Sequence, residues 1–214
     1  MSPASSGRGH PTSAASPERG HPTNESSREQ GHPASLPTDR LRLRRWRPED
    51  RAPFAALNAD PEVMEHFPAR LTRAESDAFV DRIETGFAEH GFGLWAVEVQ
   101  ATGEFIGFTG LAVPSFEAPF TPAVEIGWRL ARPAWGHGYA SEAARGALDA
   151  AFATYGLAEV VSFTSVTNVR SQAVMRRIGM THDPADDFGH PRLAPDDRLY
   201  RHVLWRIKPP GTPA

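Results

Sequence analysis

The stretch Trp135-Gly136-His137-Gly138-Tyr139-Ala140-Ser141-Glu142-Ala143 stands between an apolar run, Val124 to Leu130, and a long alanine-rich pattern of helical period. That order predicts a strand, a tight glycine loop and a helix. Such a loop aims unpaired backbone N–H groups and the positive end of a helix dipole at one point in space. The natural occupant of that point is an anion, foremost a phosphate or pyrophosphate. An ordinary strand-to-helix turn would use the same glycines, so the loop alone does not name the ligand.

Outward from the loop, the period of the apolar residues lays out one mixed α/β domain. Downstream, Ala144, Ala147, Leu148, Ala151, Phe152 and Tyr155 mark one helical stripe, closed by Gly156. Val160, Val161, Phe163 and Val166 read as a strand. Asn168 opens a further helix with Ala173, Val174 and Ile178 inside and Gly179 beyond its end. Two last strands are expected near Met180 to Asp183 and Leu199 to Ile207. Upstream, Leu94 to Val99, a turn at Ala101-Thr102-Gly103, and Glu104 to Val113 predict a hairpin, followed by a proline-rich excursion through Pro114, Pro119 and Pro122. Thr72 with Glu75 has capping-box spacing for a helix carrying Phe79, Ile83 and Phe87 on one face. Before it, Leu41, Leu43 and Trp46 predict a first strand, Pro48 to Leu57 a helix, and Asp60 to Pro68 a second short helix.

Residues 1–37 differ from the rest. They are rich in Ser, Pro, Gly, Thr and Ala, and repeat Gly9-His10-Pro11-Thr12, Gly20-His21-Pro22-Thr23 and Gly31-His32-Pro33-Ala34. Such a segment lacks the apolar area that offsets the entropy of ordering it, so a disordered extension is expected, with weak metal binding by the histidines as the alternative. The domain boundaries read 1–37 extension, 38–208 folded domain and 209–214 flexible tail.

The 214 residues carry a formal charge of −3, so the chain as a whole has no electrostatic footprint for nucleic acid or an anionic membrane. Lys208 is the only lysine, and with no cysteine there is neither a disulfide nor a thiol nucleophile. No run approaches the roughly 18 apolar residues of a membrane span, and a cytoplasmic protein is the expectation. His66, His90, His182, His190 and His202 lack metal-ligand spacing, so no metal is expected.

Three segments in order resemble the GNAT superfamily of N-acetyltransferases, in its ribosomal-protein N-terminal acetyltransferase-like branch. Val124-Glu125-Ile126-Gly127-Trp128-Arg129-Leu130 is similar to its central strand, Trp135 to Ala143 to its pyrophosphate loop, and Asn168-Val169-Arg170-Ser171 through Arg177-Ile178-Gly179-Met180 to its asparagine-to-glycine helix. Asp60-Pro61-Glu62-Val63-Met64 and the ending from His190-Pro191 to Ile207 are similar as well. The resemblance spans about residues 38–208. It implies a mostly antiparallel sheet, acetyl-coenzyme A as co-substrate, and a primary amine as acceptor, either a protein N-terminus or a small molecule. Attack would be direct, within a ternary complex of a monomer or homodimer.

The resemblance also assigns residues. The backbone from Trp135 through Gly136, His137, Gly138, Tyr139 and Ala140 would hold the pyrophosphate, and backbone groups of Trp128 and Leu130 would pair with the pantetheine arm. Asn168 would cap its helix beside that arm, and Arg170 would meet a phosphate or be a plain surface arginine. Two positions depart from the family: Pro133 stands where Gln or Arg is common, with Arg132 as the substitute cation, and Met175 where many members carry a tyrosine acid. Glu125, among apolar neighbours on the central strand, is the candidate base, a structural carboxylate or a contact to the substrate amine. Ser171 would donate to the leaving sulfur in place of the tyrosine, or make an ordinary contact. Two other classes compete: a non-catalytic coenzyme A-binding sensor or scaffold, and a dinucleotide oxidoreductase, which the late strand and missing third glycine disfavour. For the acceptor, Asp183, Asp186, Asp187, Asp196 and Asp197 suggest an acidic lining suited to a cationic amine, or simply a solvated loop.

Overall fold

The computed structural model describes residues 35–211. Its elements in chain order are β1 (Ser35–Pro37), β2 (Leu41–Arg44), α1 (Arg51–Ala59), α2 (Arg73–His90), β3 (Leu94–Val99), β4 (Phe105–Ala112), β5 (Glu125–Leu130), α3 (Tyr139–Ala153), β6 (Val160–Ser165), α4 (Val169–Arg177), β7 (Thr181–His182), β8 (Phe188–Gly189) and β9 (Arg201–Ile207). The sheet runs β1-β2-β3-β4-β5-β6-β9-β7, with β8 also on β9. All pairings are antiparallel except β5 with β6.

That exception shapes the molecule. The parallel ladder contains a single pair, Glu125 with Val161, after which β5 and β6 continue without pairing. The two strands are tied only at their beginnings, by Val161 N–H to Val124 O at 2.9 Å and the Ser162 hydroxyl to Ile126 O at 2.8 Å. Backbone groups along a strand alternate sides, so Trp128 presents its N–H and C=O to the same open edge as Ile126.

Helices cover both faces. On one, α1 and α2 pack Phe54, Leu57 and Val80, with Val63 from the turns between them, against Phe108 of β4. On the other, α3 lies on β4 and β5 through Ala143, Ala144, Ala147 and Ala151, all fully buried. Alanines at this spacing bring the helix axis close to the sheet, which sets its first turn beside the end of β5.

Three expectations change. Ser35–Pro37 pairs with Arg42–Arg44 as an edge strand, so the folded domain begins inside the segment assigned to the extension. The histidine repeats and residues 212–214 lie outside the described residues. Residues 60–68 form turns, not a helix: Asp60 Oδ1 accepts from the N–H groups of Glu62 and Val63, and a proline at each end leaves too few residues to propagate a nucleated helix. The polar loop before β9 carries the short strand β8, whose two residues are too few for any periodic signal.

Charge patterning did not reveal one buried feature. Arg44, Asp50 and Glu98 are 5%, 1% and 4% exposed and form a bonded cluster, with Arg44 to Asp50 at 2.7 and 2.9 Å and to Glu98 at 2.7 Å. It ties the start of α1 to β2 and β3, and the two carboxylates raise the already high pKa of Arg44. Asp50→Ala leaves the guanidinium short of a partner, and urea unfolding should show a loss of about 3–5 kcal/mol.

Candidate active site

The glycine loop has the geometry its sequence implies. Gly136 and Gly138 adopt φ of 81° and 80°, left-handed values that favour glycine, and Gly138 is the N-cap residue of α3. Among the described residues, none of the six consecutive N–H groups from Gly136 to Ser141 has a hydrogen-bond acceptor; the first satisfied amide is Glu142, on Gly138 O at 3.1 Å. A methyl group built on Gly136 would touch nothing within 4 Å, so a ligand has room to approach. Six donors at the positive end of a fifteen-residue helix form an anion cradle that fits a pyrophosphate. Trp135 anchors the loop to the strand before it through Nε1 to Leu130 O at 2.9 Å.

The cations differ from expectation. Arg132 is paired with Glu62 at 2.8 Å. Arg40, which no motif singled out, sits over the Tyr139 ring at 4.8 Å, donates to His137 O at 3.1 Å, and pairs with Glu142 at 2.6 Å. Thr38 Oγ and the Arg40 N–H also donate to Glu142, at 2.6 and 2.7 Å. Arg170 stacks its guanidinium on Trp135 at 4.7 Å, which brings the start of α4 to the loop.

Asn168 caps α4 by accepting from Ser171 N–H at 3.1 Å, and its amide donates to Thr164 at 2.9 Å. Among the described residues the Ser171 hydroxyl has no partner, and no hydrogen bond joins it to Glu125. Met175 is 1% exposed, packed in the core rather than at the cleft.

Glu125 begins β5 at the one tied point of the splayed strands. Its carboxyl has no hydrogen bond or ion pair among the described residues, and burial pushes its pKa up to about 8. Val161 lies opposite, so Phe163 and Ser165 share its face of the sheet. Beside them Phe116, Phe120, Phe163, Phe188, His190 and His202 form a half-buried aromatic wall, with ring centroids such as Phe120–Phe188 at 4.9 Å and Phe116–Phe163 at 5.6 Å. Burial lowers His202 to about 4 and also lowers His190, so both are neutral at pH 7. At the end of β6, His66 Nδ1 lies 3.4 Å from the hydroxyls of Ser165 and Thr167. There a cavity of 390 Å³ is lined by Glu65, His66, Thr167, Val169, Arg170 and Arg198.

The aspartates of the last loop are largely engaged within the chain. Asp183 caps Ala185 N–H, Asp186 pairs with Arg206, Asp187 bonds His182, and Asp197 accepts from Leu199 N–H. Four of the five aspartates hold their own loop and strand together. Among the described residues no cluster of three or more His, Cys, Asp or Glu side chains suits a metal ion, and no helix is long and apolar enough to cross a membrane.

Comparison with known proteins agrees with this geometry. Residues 40–181 match the model of the acetyltransferase (GNAT) domain. The chain is 34% identical over 146 residues to the uncharacterized protein YkkB of Bacillus subtilis, covering 68% of this chain and 84% of that one. It is 37% identical over 155 residues to the FsC-acetyl coenzyme A-N(2)-transacetylase of Aspergillus fumigatus, covering 69% of this chain and 65% of that longer protein. Among solved structures, an acetyltransferase from Agrobacterium tumefaciens superposes with a TM-score of 0.65 at 29% identity, over 81% of this chain and 93% of that one. RimL, a ribosomal L7/L12 alpha-N-protein acetyltransferase in complex with coenzyme A, shares the fold with a TM-score of 0.63 at 19% identity, over 81% and 97%. With the anion cradle, the splayed strands and the matched domain in agreement, the chain belongs to the GNAT family of acetyltransferases.

Proposed function

We propose that this protein acetylates a primary amine by direct attack on acetyl-coenzyme A bound along the splayed edge of β5, with Glu125 receiving the amine's proton. The observation that carries the reading is the run of six unpaired amides beside an open strand edge, a site built for a pyrophosphate followed by an extended arm. Bound there, acetyl-coenzyme A supplies an activated acetyl group as a thioester. The residues Gly136 to Ala140 hold its pyrophosphate through backbone N–H groups, and Trp128 and Leu130 offer the strand edge that the arm extends. Leu130 does so through its N–H, because its carbonyl already accepts from Trp135.

In the transfer, the amine nitrogen bonds to the thioester carbonyl carbon and the carbon–sulfur bond breaks. The electron pair leaves with sulfur, which takes up a proton and departs as the thiol. The ammonium form of the acceptor must first give up a proton, and the unpaired carboxyl of Glu125, held near neutrality by burial, is matched to receive it. Ser171, whose hydroxyl is uncommitted, is the proposed donor to sulfur, since Met175 is core and offers no proton. Holding both reactants in one cleft contributes as much as the proton transfers.

Saturating acetyl-coenzyme A should raise the melting temperature, because ligand binding to the folded form alone stabilises it by about 2.7 kcal/mol at a hundred times Kd. Thiol release should then depend on added amine. A melting temperature indifferent to acetyl-coenzyme A removes the reading. Stabilisation without thiol release from any amine would reduce the protein to a coenzyme A-binding role.

A further inference from the structure

Arg129 is 9% exposed and has no ion pair among the described residues. Its Nη1 donates to Asn58 Oδ1 at 2.5 Å, its Nε is buried with no partner, and its guanidinium lies over the rings of Phe67, Phe79 and Phe108 at 3.9, 5.7 and 5.4 Å. Asn58 in turn donates to Ser76, so this polar chain ends on neutral groups. Burial lowers the arginine to about 10, which still leaves it charged at pH 7. A buried cation without an anion is costly, and an unmatched buried donor calls for a partner absent from the chain itself.

The strand supplies the second half of the argument. Glu125, Gly127 and Arg129 alternate onto one face of β5. Between the two ionisable groups there is no side chain: a methyl group at Gly127 would meet only Glu125 Oε1, at 3.9 Å. One strand face thus carries a carboxyl without a partner among the described residues, an open notch and a guanidinium without an ion pair there, with α-carbons of Glu125 and Arg129 about 13 Å apart at strand rise. A ligand with an amine at one end and an anion at the other satisfies both groups together.

We propose that the acceptor is an aminocarboxylate, whose amine reaches Glu125 and whose carboxylate is bound by Arg129. This rests on the acetyltransferase reading and names its substrate class. Arg129 is then a specificity-determining residue, contacting the acceptor away from the reacting atoms.

The test compares matched acceptors that differ only in the carboxylate: L-leucine against 3-methylbutylamine, L-phenylalanine against phenethylamine, and β-alanine against ethylamine. Thiol release is measured for the wild type, R129Q and R129K. The wild type should favour the carboxylated member of at least one pair. R129Q should lose about a hundredfold in kcat/KM on it, chiefly through KM, as expected for a lost charge-assisted contact. The decarboxylated partner and the KM for acetyl-coenzyme A should be unaffected, and R129K should recover part of the loss. Equal use of both members by the wild type overturns the proposal without any variant, as does an equal loss on both members in R129Q. Turnover of carboxylate-free amines alone overturns the substrate class and leaves the acetyltransferase standing. Absence of both acetyl-coenzyme A stabilisation and turnover fails the acetyltransferase reading itself.

Discussion

Glu125→Gln should lower kcat by about 10²–10⁴-fold, the share that a positioned general base contributes, and leave the KM for acetyl-coenzyme A within about twofold. The glutamine keeps the shape but takes up no proton. Because burial places the wild-type carboxyl at about 8, wild-type kcat should climb as pH rises through that value, and the variant should lack this limb. Stability provides an independent check. Between about 4.5 and 8 the folded protein retains a proton that the unfolded chain has released, so wild-type stability falls as pH rises across this window. The variant escapes that loss, and its melting temperature relative to wild type should increase from acid to alkaline pH. A variant that keeps both its turnover and its pH limb excludes Glu125 as base.

Gly138→Asp gives the second large effect, and it separates binding from folding. The substitution places a carboxylate at the mouth of six unpaired amides, where the pyrophosphate would sit. Like charges in such a site cost several kcal/mol, so acetyl-coenzyme A affinity should fall at least about a hundredfold, measured by calorimetry. The fold should tolerate the change. Aspartate accepts the left-handed backbone at a cost of roughly 1–2 kcal/mol, and the atom nearest the new Cβ is Arg40 Nη2 at 3.6 Å, an opposite charge. The loss of the acetyl-coenzyme A melting shift with little change in the ligand-free melting temperature is the expected result. An undiminished shift would place the cofactor elsewhere.

The sequence made legible what depends on local pattern. The glycine loop, the capping box at Thr72 and the cap at Asn168 each follow from spacing over a few residues, and all stand in the structure. What escaped depends on long-range juxtaposition. Arg40 meets the loop from almost a hundred residues away, the aromatic wall draws on four separate segments, and the splay of β5 from β6 is an absence of pairing that no side chain announces. The pairing of the last loop's aspartates escaped for the same reason: their partners, Arg206 and His182, are remote or ordinary in sequence. Arg129 could have been found. Alternation alone puts it on the face of Glu125, and two ionisable residues in a short, otherwise apolar strand are a signal that the strand carries more than packing.

The clasp of Thr38 and Arg40 on Glu142 has a practical consequence for where this domain can be cut. Glu142 lies in the first turn of α3, and three donors from the N-terminal edge converge on its carboxylate. A shortened protein starting at Leu41, where the strong hydrophobic pattern begins, would keep the fully buried core and lose the partly buried Leu36, yet release the helix turn from which the glycine loop projects. One starting before Ser35 keeps both. The border of the folded unit is therefore drawn by the anchoring of the glycine loop as much as by the core.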